Sequence, residues 1–104
     1  MPNYIFAYHG GGMPETEAEQ AETMAAWQGW AETAGPSIVD FGAPAGMACT
    51  VGPDGSVSDG GGANPITGYG IFTADSLEAA AEIAKGCPIL AGGGSVEVAE
   101  AMEM

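Results

Sequence analysis

Hydrophobic and polar positions along the chain change period several times, and each change marks an element. Tyr4 to His9 alternates, with Tyr4, Phe6 and Tyr8 on one face and Ile5, Ala7 and His9 on the other. Neither face is strongly polar, so this first strand is expected to be covered on both sides. Gly10 to Gly12 connects it to a helix, where Pro14 suits the first turn and Thr16 with Glu19 spells a capping box. Glu15, Glu17 and Glu19 suit the positive end of that helix. Helical spacing then places Ala21, Met24, Trp27, Ala31 and Ala34 on one stripe, with Trp30 beside it as the edge of an interface or pocket. Gly35 and Pro36 end the helix.

Extended structure resumes from Ser37 to Ala43. Met47 to Val51 and Ser56 to Ser58 flank Pro53-Asp54-Gly55, which predicts a hairpin. Asp59 to Pro65 is a glycine-rich loop without periodicity. Tyr69 to Thr73 is the next strand, with Gly68 and Gly70 as close-packing glycines. Asp75 is expected to cap the second helix, with Glu78 reaching back, and Leu77, Ala80, Ala81 and Ala84 form its apolar stripe. Lys85 lies in the last turn, Gly86 is expected to adopt a left-handed stop, and Pro88 prevents continuation. Ser95 to Glu100 alternates again, with Val96 and Val98 on one face. The order β-α-β, hairpin, β-α-β predicts one α+β domain over residues 1–104. Its antiparallel sheet is of the split βαβ kind, with two helices on one face and the β-hairpin inserted.

The run Gly68-Tyr-Gly-Ile-Phe-Thr-Ala-Asp-Ser-Leu-Glu-Ala-Ala-Ala-Glu-Ile-Ala84, then Gly86-Cys87-Pro88 and Gly93-Gly-Ser-Val-Glu-Val98, resembles the C-terminal half of the YCII-related domain family. Tyr4-Ile-Phe-Ala-Tyr8 and Met24-Ala-Ala-Trp27 extend the resemblance over most of the chain. It is similar in particular to the branch with an Asp-Gly-Pro-Phe loop, read here as Asp59-Gly60-Gly61-Gly62, so two of the four residues match. The resemblance implies a ferredoxin-like fold that dimerises through its sheets into an α/β-barrel-like assembly. It implies no single activity. A His–Asp pair marks enzyme-like members, with the histidine on the first helix and the aspartate before a proline. Here the first helix has no histidine, and Cys87 precedes Pro88.

Composition narrows the partners. The 104 residues carry 14 carboxylates, no arginine and one lysine, for a net charge of −13. Nucleic acid and anionic membrane surfaces are excluded as partners, since both need clustered basic residues. Many apolar residues are alanine and 18 residues are glycine, so the core is expected to be thin and a homodimer favoured. Cys49 and Cys87 stand far apart, without the spacing of a metal knuckle. Neither a metal site nor any other cofactor is expected. The N-terminal residues lack the pattern of a signal peptide, which predicts a cytoplasmic protein.

Candidate chemistry falls on His9, Asp59 and Trp30. His9 is the sole histidine and ends the first strand, so it is the natural general base or polar anchor. The alternative for it is to fill a surface gap or bond a loop carbonyl. Asp59 opens the glycine-rich loop and is placed to orient His9; the alternative is a turn aspartate bonded to its own backbone. Three functions are compatible with these residues. The first is a homodimeric module holding a small, mostly apolar or aromatic ligand near Trp30, His9 and Asp59. The second is a small enzyme acting on a cyclic or aromatic compound, with His9 and Asp59 as acid and base. The third is a structural or regulatory interaction domain.

Overall fold

The computed structural model describes residues 1–11 and 15–102. Gly12 of the first connection and Pro14 lie outside the described residues, so the expected role of Pro14 in the helix start is not addressed. Among the described residues, six strands and two α-helices follow in the order β1 (Asn3–His9), α1 (Glu17–Ala34), β2 (Ile38–Pro44), β3 (Cys49–Val51), β4 (Val57–Asp59), β5 (Ile66–Thr73), α2 (Leu77–Ala84) and β6 (Ser95–Ala101). Short 3-10 helices at Gly35–Ser37 and Pro88–Gly92 follow α1 and α2. The main sheet runs β2-β5-β1-β6 with every neighbouring pair antiparallel. Two helices and this strand order make an α+β arrangement compatible with a ferredoxin-like fold. Among the described residues, β3 and β4 pair only with each other, as a separate two-stranded ribbon.

Local chemistry explains the helix ends. Thr16 caps α1, its hydroxyl accepting from the Glu19 amide at 3.1 Å. The Glu19 carboxylate reaches back to the amide of Glu15 at 2.9 Å, one residue before the amide a capping box normally engages. For α2 the expectation of an Asp75 cap is corrected. Ser76 is the cap, its hydroxyl accepting from the Ala79 amide at 3.1 Å. A serine at this position has an extended backbone and a short acceptor, and the helix begins one residue later than the Asp75 reading. Ser76→Ala should therefore lower stability by about 1 kcal/mol, read as a shift of the urea midpoint at constant slope.

Gly86 also departs from expectation. It is not in a left-handed conformation; the chain leaves α2 through tightened turns, Gly86 N–H donating to Ile83 O and Cys87 N–H to Ala84 O. The reason for a glycine there is space. A Cβ on Gly86 would sit 3.1 Å from Cδ1 of Trp30, so the indole packs against bare backbone.

The core lies between the Tyr4–Phe6–Tyr8 face of the sheet and the two helices. Phe6 and Phe72 are fully buried and stack at 4.2 Å between centroids, and Trp30 closes over Phe72 at 5.2 Å. Ala34, Ala80 and Ala84 supply the small faces that bring the helices near the sheet. The expected stripes are thus rotated. Trp30, read as flanking the buried stripe, is 6% exposed, while Met24 and Leu77 are 64% and 50% exposed. On α1 the inward position goes to a tryptophan because it removes more apolar surface from water than Met24 would.

The other face of the sheet is less polar than an uncovered face usually is. Ile5 stands opposite Ile71 on one side and Ala99 on the other, with Ala7 between Tyr69 and Glu97. Ile5 and Tyr69 are exposed.

Candidate functional site

Between α1 and the β2–β5 edge of the sheet, the side chains leave a cavity of about 470 Å³. Tyr8 on β1, Met24 and Trp27 on α1, Phe41 and Pro44 on β2, and Ile89 after α2 line it. Its volume falls within the range of small-ligand pockets, roughly 300 to 1,000 Å³. The aromatic walls meet edge-on. Trp27 is 5.3 Å from Tyr8 at 70° and 6.3 Å from Phe41 at 71°. A broader groove of about 1090 Å³ adjoins it along α1, Gly10–Gly11 and the 3-10 helix at Pro88–Gly92, sharing Trp27, Pro44 and Ile89.

Two glycines set the position of the tyrosine. Gly68 pairs with Tyr8 and Gly70 with Phe6 across the β1–β5 ladder. A Cβ on Gly68 would lie 3.1 Å from the Tyr8 ring, and one on Gly70 would lie 3.1 Å from the Tyr8 hydroxyl and 2.8 Å from Phe72. The ring therefore lies along bare backbone, as the expectation of close-packing glycines requires. Tyr8 is 5% exposed, and among the described residues its hydroxyl alone is a fully buried side-chain polar atom without a hydrogen-bond partner. Such an atom costs the fold about 1–3 kcal/mol. Burial pushes the Tyr8 hydroxyl well above the usual phenol range, and the nearby Cys87 thiol adds to the rise. The group therefore holds its proton and is a hydrogen-bond donor in waiting.

The other polar groups are already engaged. Trp30 donates its indole N–H to the Ile83 carbonyl at 3.0 Å, which anchors α1 to α2 and leaves Trp27 as the tryptophan common to both cavities. Cys87 is buried, which pushes its thiol up to about 11 and makes it a poor nucleophile; Cys49 is exposed on β3.

His9, Asp59 and Trp30 do not converge. The His9 ring lies at the far end of β1. Its Nδ1 is 3.1 Å from the Asn64 carbonyl and 3.2 Å from that of Pro65, and its Nε2 is 3.2 Å from the Glu97 carboxylate. One ring nitrogen faces the loop carbonyls and the other the Glu97 carboxylate, so the imidazole bridges the end of the glycine-rich loop and β6. The carboxylate beside His9 is that of Glu97, not Asp59. Asp59 closes β4, opposite Cys49 and exposed. Neither His9 nor Asp59 lines the aromatic cavity or the groove, whereas Trp30 lines the groove. Among the described residues, no three His, Cys, Asp or Glu side chains are grouped so as to hold a metal ion.

Sequence reasoning passed over Tyr8, Trp27 and Phe41 as site residues, reading them as strand and stripe positions. The usable signal was the Gly68–Gly70 pair, which leaves room above β5 for the ring of a neighbouring strand.

No family model matches the chain, and no curated protein is significantly similar to it. The fold and cavity therefore define its class, an α+β domain with an aromatic-walled cavity between helix and sheet. No described helix is long and apolar enough to cross a membrane.

Proposed function

We propose that the chain is a YCII-related domain that works as a homodimeric small-molecule-binding module in the cytoplasm. Its ligand is a small, mostly apolar molecule taken up between α1 and the β2–β5 edge. The observation that carries this reading is the 470 Å³ cavity, walled by Trp27, Phe41, Met24 and Ile89 beside Tyr8. The acid–base enzyme reading draws no support from the geometry, since His9 is bonded to Glu97 and to loop carbonyls. Titration with N-phenyl-1-naphthylamine, an uncharged dye that brightens in apolar sites, tests the proposal. Saturable micromolar binding is expected, with Phe41→Ala weakening it at least about tenfold, a ring-sized loss of contact. Phe41 is 41% exposed, so its truncation leaves the core standing. Non-saturable binding, or a Phe41→Ala protein that binds as tightly as the parent, would remove the basis for the reading.

The dimer rests on the second face of the sheet. Two helices cover the Tyr4–Phe6–Tyr8 side, while Ile5, Ile71, Ala7 and Ala99 form a flat apolar centre on the other. A second copy of the same face is its most economical cover, because a two-fold contact needs only one self-complementary patch. Together with the ferredoxin-like strand order, such a contact would build a dimeric α/β-barrel-like assembly. Sedimentation at micromolar concentration in moderate salt should show a dimer, and Ile5→Asp should convert it to a folded monomer by placing two buried carboxylates face to face. A parent protein that sediments as a monomer contradicts the dimer.

A further inference from the structure

We infer that the β3–β4 ribbon is an intersubunit arm, which lays its apolar side on a second copy of this chain. This contact rests on the homodimer reading and adds a second surface to the sheet-face interface. Alternate residues of paired strands share a side. Val51 stands opposite Val57 and Cys49 opposite Asp59, so these four share one side of the ribbon, and Thr50 and Ser58 share the other. The Thr50–Ser58 side is closed by its own bonds. The Thr50 hydroxyl donates to the Gly60 carbonyl at 2.7 Å, and the Ser58 hydroxyl to the Thr50 carbonyl at 3.4 Å. The valine side is left open, with Val51 and Val57 63% and 66% exposed and Met47, just before the ribbon, fully exposed.

The ribbon nevertheless has a definite shape. At its turn the Asp54 carboxylate accepts from the Ser56 amide at 2.9 Å and from the Ser56 hydroxyl at 2.7 Å. The Gly52 amide donates to the Ser56 carbonyl at 2.7 Å, and Gly55 takes a left-handed φ of 85°. A two-stranded hairpin alone is marginal in water and needs something to pack on.

Surface area identifies what that is. A folded monomer of 10.3 kDa exposes about 5,400 Å², and this chain exposes 6998 Å². The excess, about 1,600 Å² per chain, is what an obligate homodimer buries, roughly 1,000–2,500 Å² per subunit. The radius of gyration is 14.8 Å, against about 13 Å for a compact domain of this length, and the extents of 42 × 41 × 19 Å are those of a flat body. The sheet face is too small to take up the whole excess. Its four strands, about 4.8 Å apart and about seven residues long at 3.3 Å each, have a footprint of roughly 440 Å². The ribbon is the other uncovered apolar projection, so it supplies a share of the same contact.

Cys49 reports that contact. It lies on the valine side and is exposed in the single chain, whereas Cys87 is buried with its thiol pushed up to about 11. The uncharged disulfide dithiodipyridine reads its reactivity without repulsion from the acidic surface. In the parent dimer, at micromolar concentration in moderate salt, Cys49 should react at least about tenfold more slowly than N-acetylcysteinamide. In the Ile5→Asp monomer it should react within about threefold of that free thiol. Val51→Thr together with Val57→Thr keeps the β-branched shape and sets four hydroxyls into the contact of each dimer. The dissociation constant read by sedimentation should rise at least about 100-fold. In the Ile5→Asp monomer the same pair should leave the melting temperature unchanged, because there the valines face water. A parent dimer in which Cys49 reacts like the free thiol would overturn the arm and leave the sheet-face dimer in place. So would a dissociation constant unmoved by the two threonines, or a melting loss in the Ile5→Asp monomer equal to that in the parent. An Ile5→Asp protein that stays a dimer with Cys49 protected would remove the sheet contact and keep the arm. A parent that sediments as a monomer would remove both.

Discussion

Gly42→Ala should remove a large share of the protein's stability. Gly42 has a φ of 80°, a conformation that costs an L side chain energy wherever it occurs. The surroundings make it worse. A Cβ there would lie 1.8 Å from the Tyr69 carbonyl oxygen and 2.6 Å from its carbon, both backbone atoms of the paired strand. Relief requires β2 and β5 to separate at the irregular stretch of their ladder, between Asp40 and Ala43. It would also break the 2.9 Å bond from the Gly42 amide to the Asp40 carboxylate. We expect a loss above about 4 kcal/mol, the range reached only by backbone clashes and gutted cores, against a total stability on the order of 5–15 kcal/mol. Gly93→Ala is the matched control. Its φ is 85° with nothing within 4 Å of the added carbon, so about 1 kcal/mol is expected. Urea denaturation followed by circular dichroism compares the two. A Gly42→Ala protein no less stable than Gly93→Ala would contradict the β2–β5 geometry.

Phe6→Ala should cost about 3–5 kcal/mol, the range for emptying a fully buried aromatic site. Phe6 has no exposed surface, stacks on Phe72 at 4.2 Å and lies 6.4 Å from Trp30. Its neighbours cannot collapse into the hole easily. The helices already meet the sheet through alanines, and Gly68 and Gly70 give β5 no side chain there to move. The same denaturation experiment reads it, with a loss under about 1.5 kcal/mol showing that Phe6 is not the centre of this core.

The sheet strands and helices were legible because their signals are local. Alternation at Tyr4–His9, the Thr16–Glu19 cap and the turn at Pro53–Gly55 each depend on a few neighbouring residues. The errors came where tertiary packing decides between adjacent positions. Asp75 and Ser76 both suit a cap, and Ser76 wins by its place in the folded chain. Met24 was read on the apolar stripe of α1 and Trp30 beside it, yet Trp30 is the buried one, packed against Phe6 and Phe72. The candidate site was legible only in part. His9, Asp59 and Trp30 stood out by rarity, yet the histidine satisfies loop carbonyls, and Asp59 sits on a ribbon that pairs only with itself. The cavity is made instead by Tyr8, Trp27 and Phe41, which come from three elements and look in sequence like ordinary core residues. Their convergence depends on the strand order β2-β5-β1, which no local pattern encodes.

The central claim is that the cavity between α1 and the β2–β5 edge holds a small apolar ligand. Its most direct test is to locate a bound probe by intermolecular NOEs between 2-acetonaphthone and the protein's aromatic and methyl protons. The account predicts contacts to the rings of Tyr8, Trp27 and Phe41 and to the methyls of Met24 and Ile89. Contacts confined to the exposed Met47, Val51 and Val57 around the β3–β4 ribbon, or to none of the cavity residues, would contradict it.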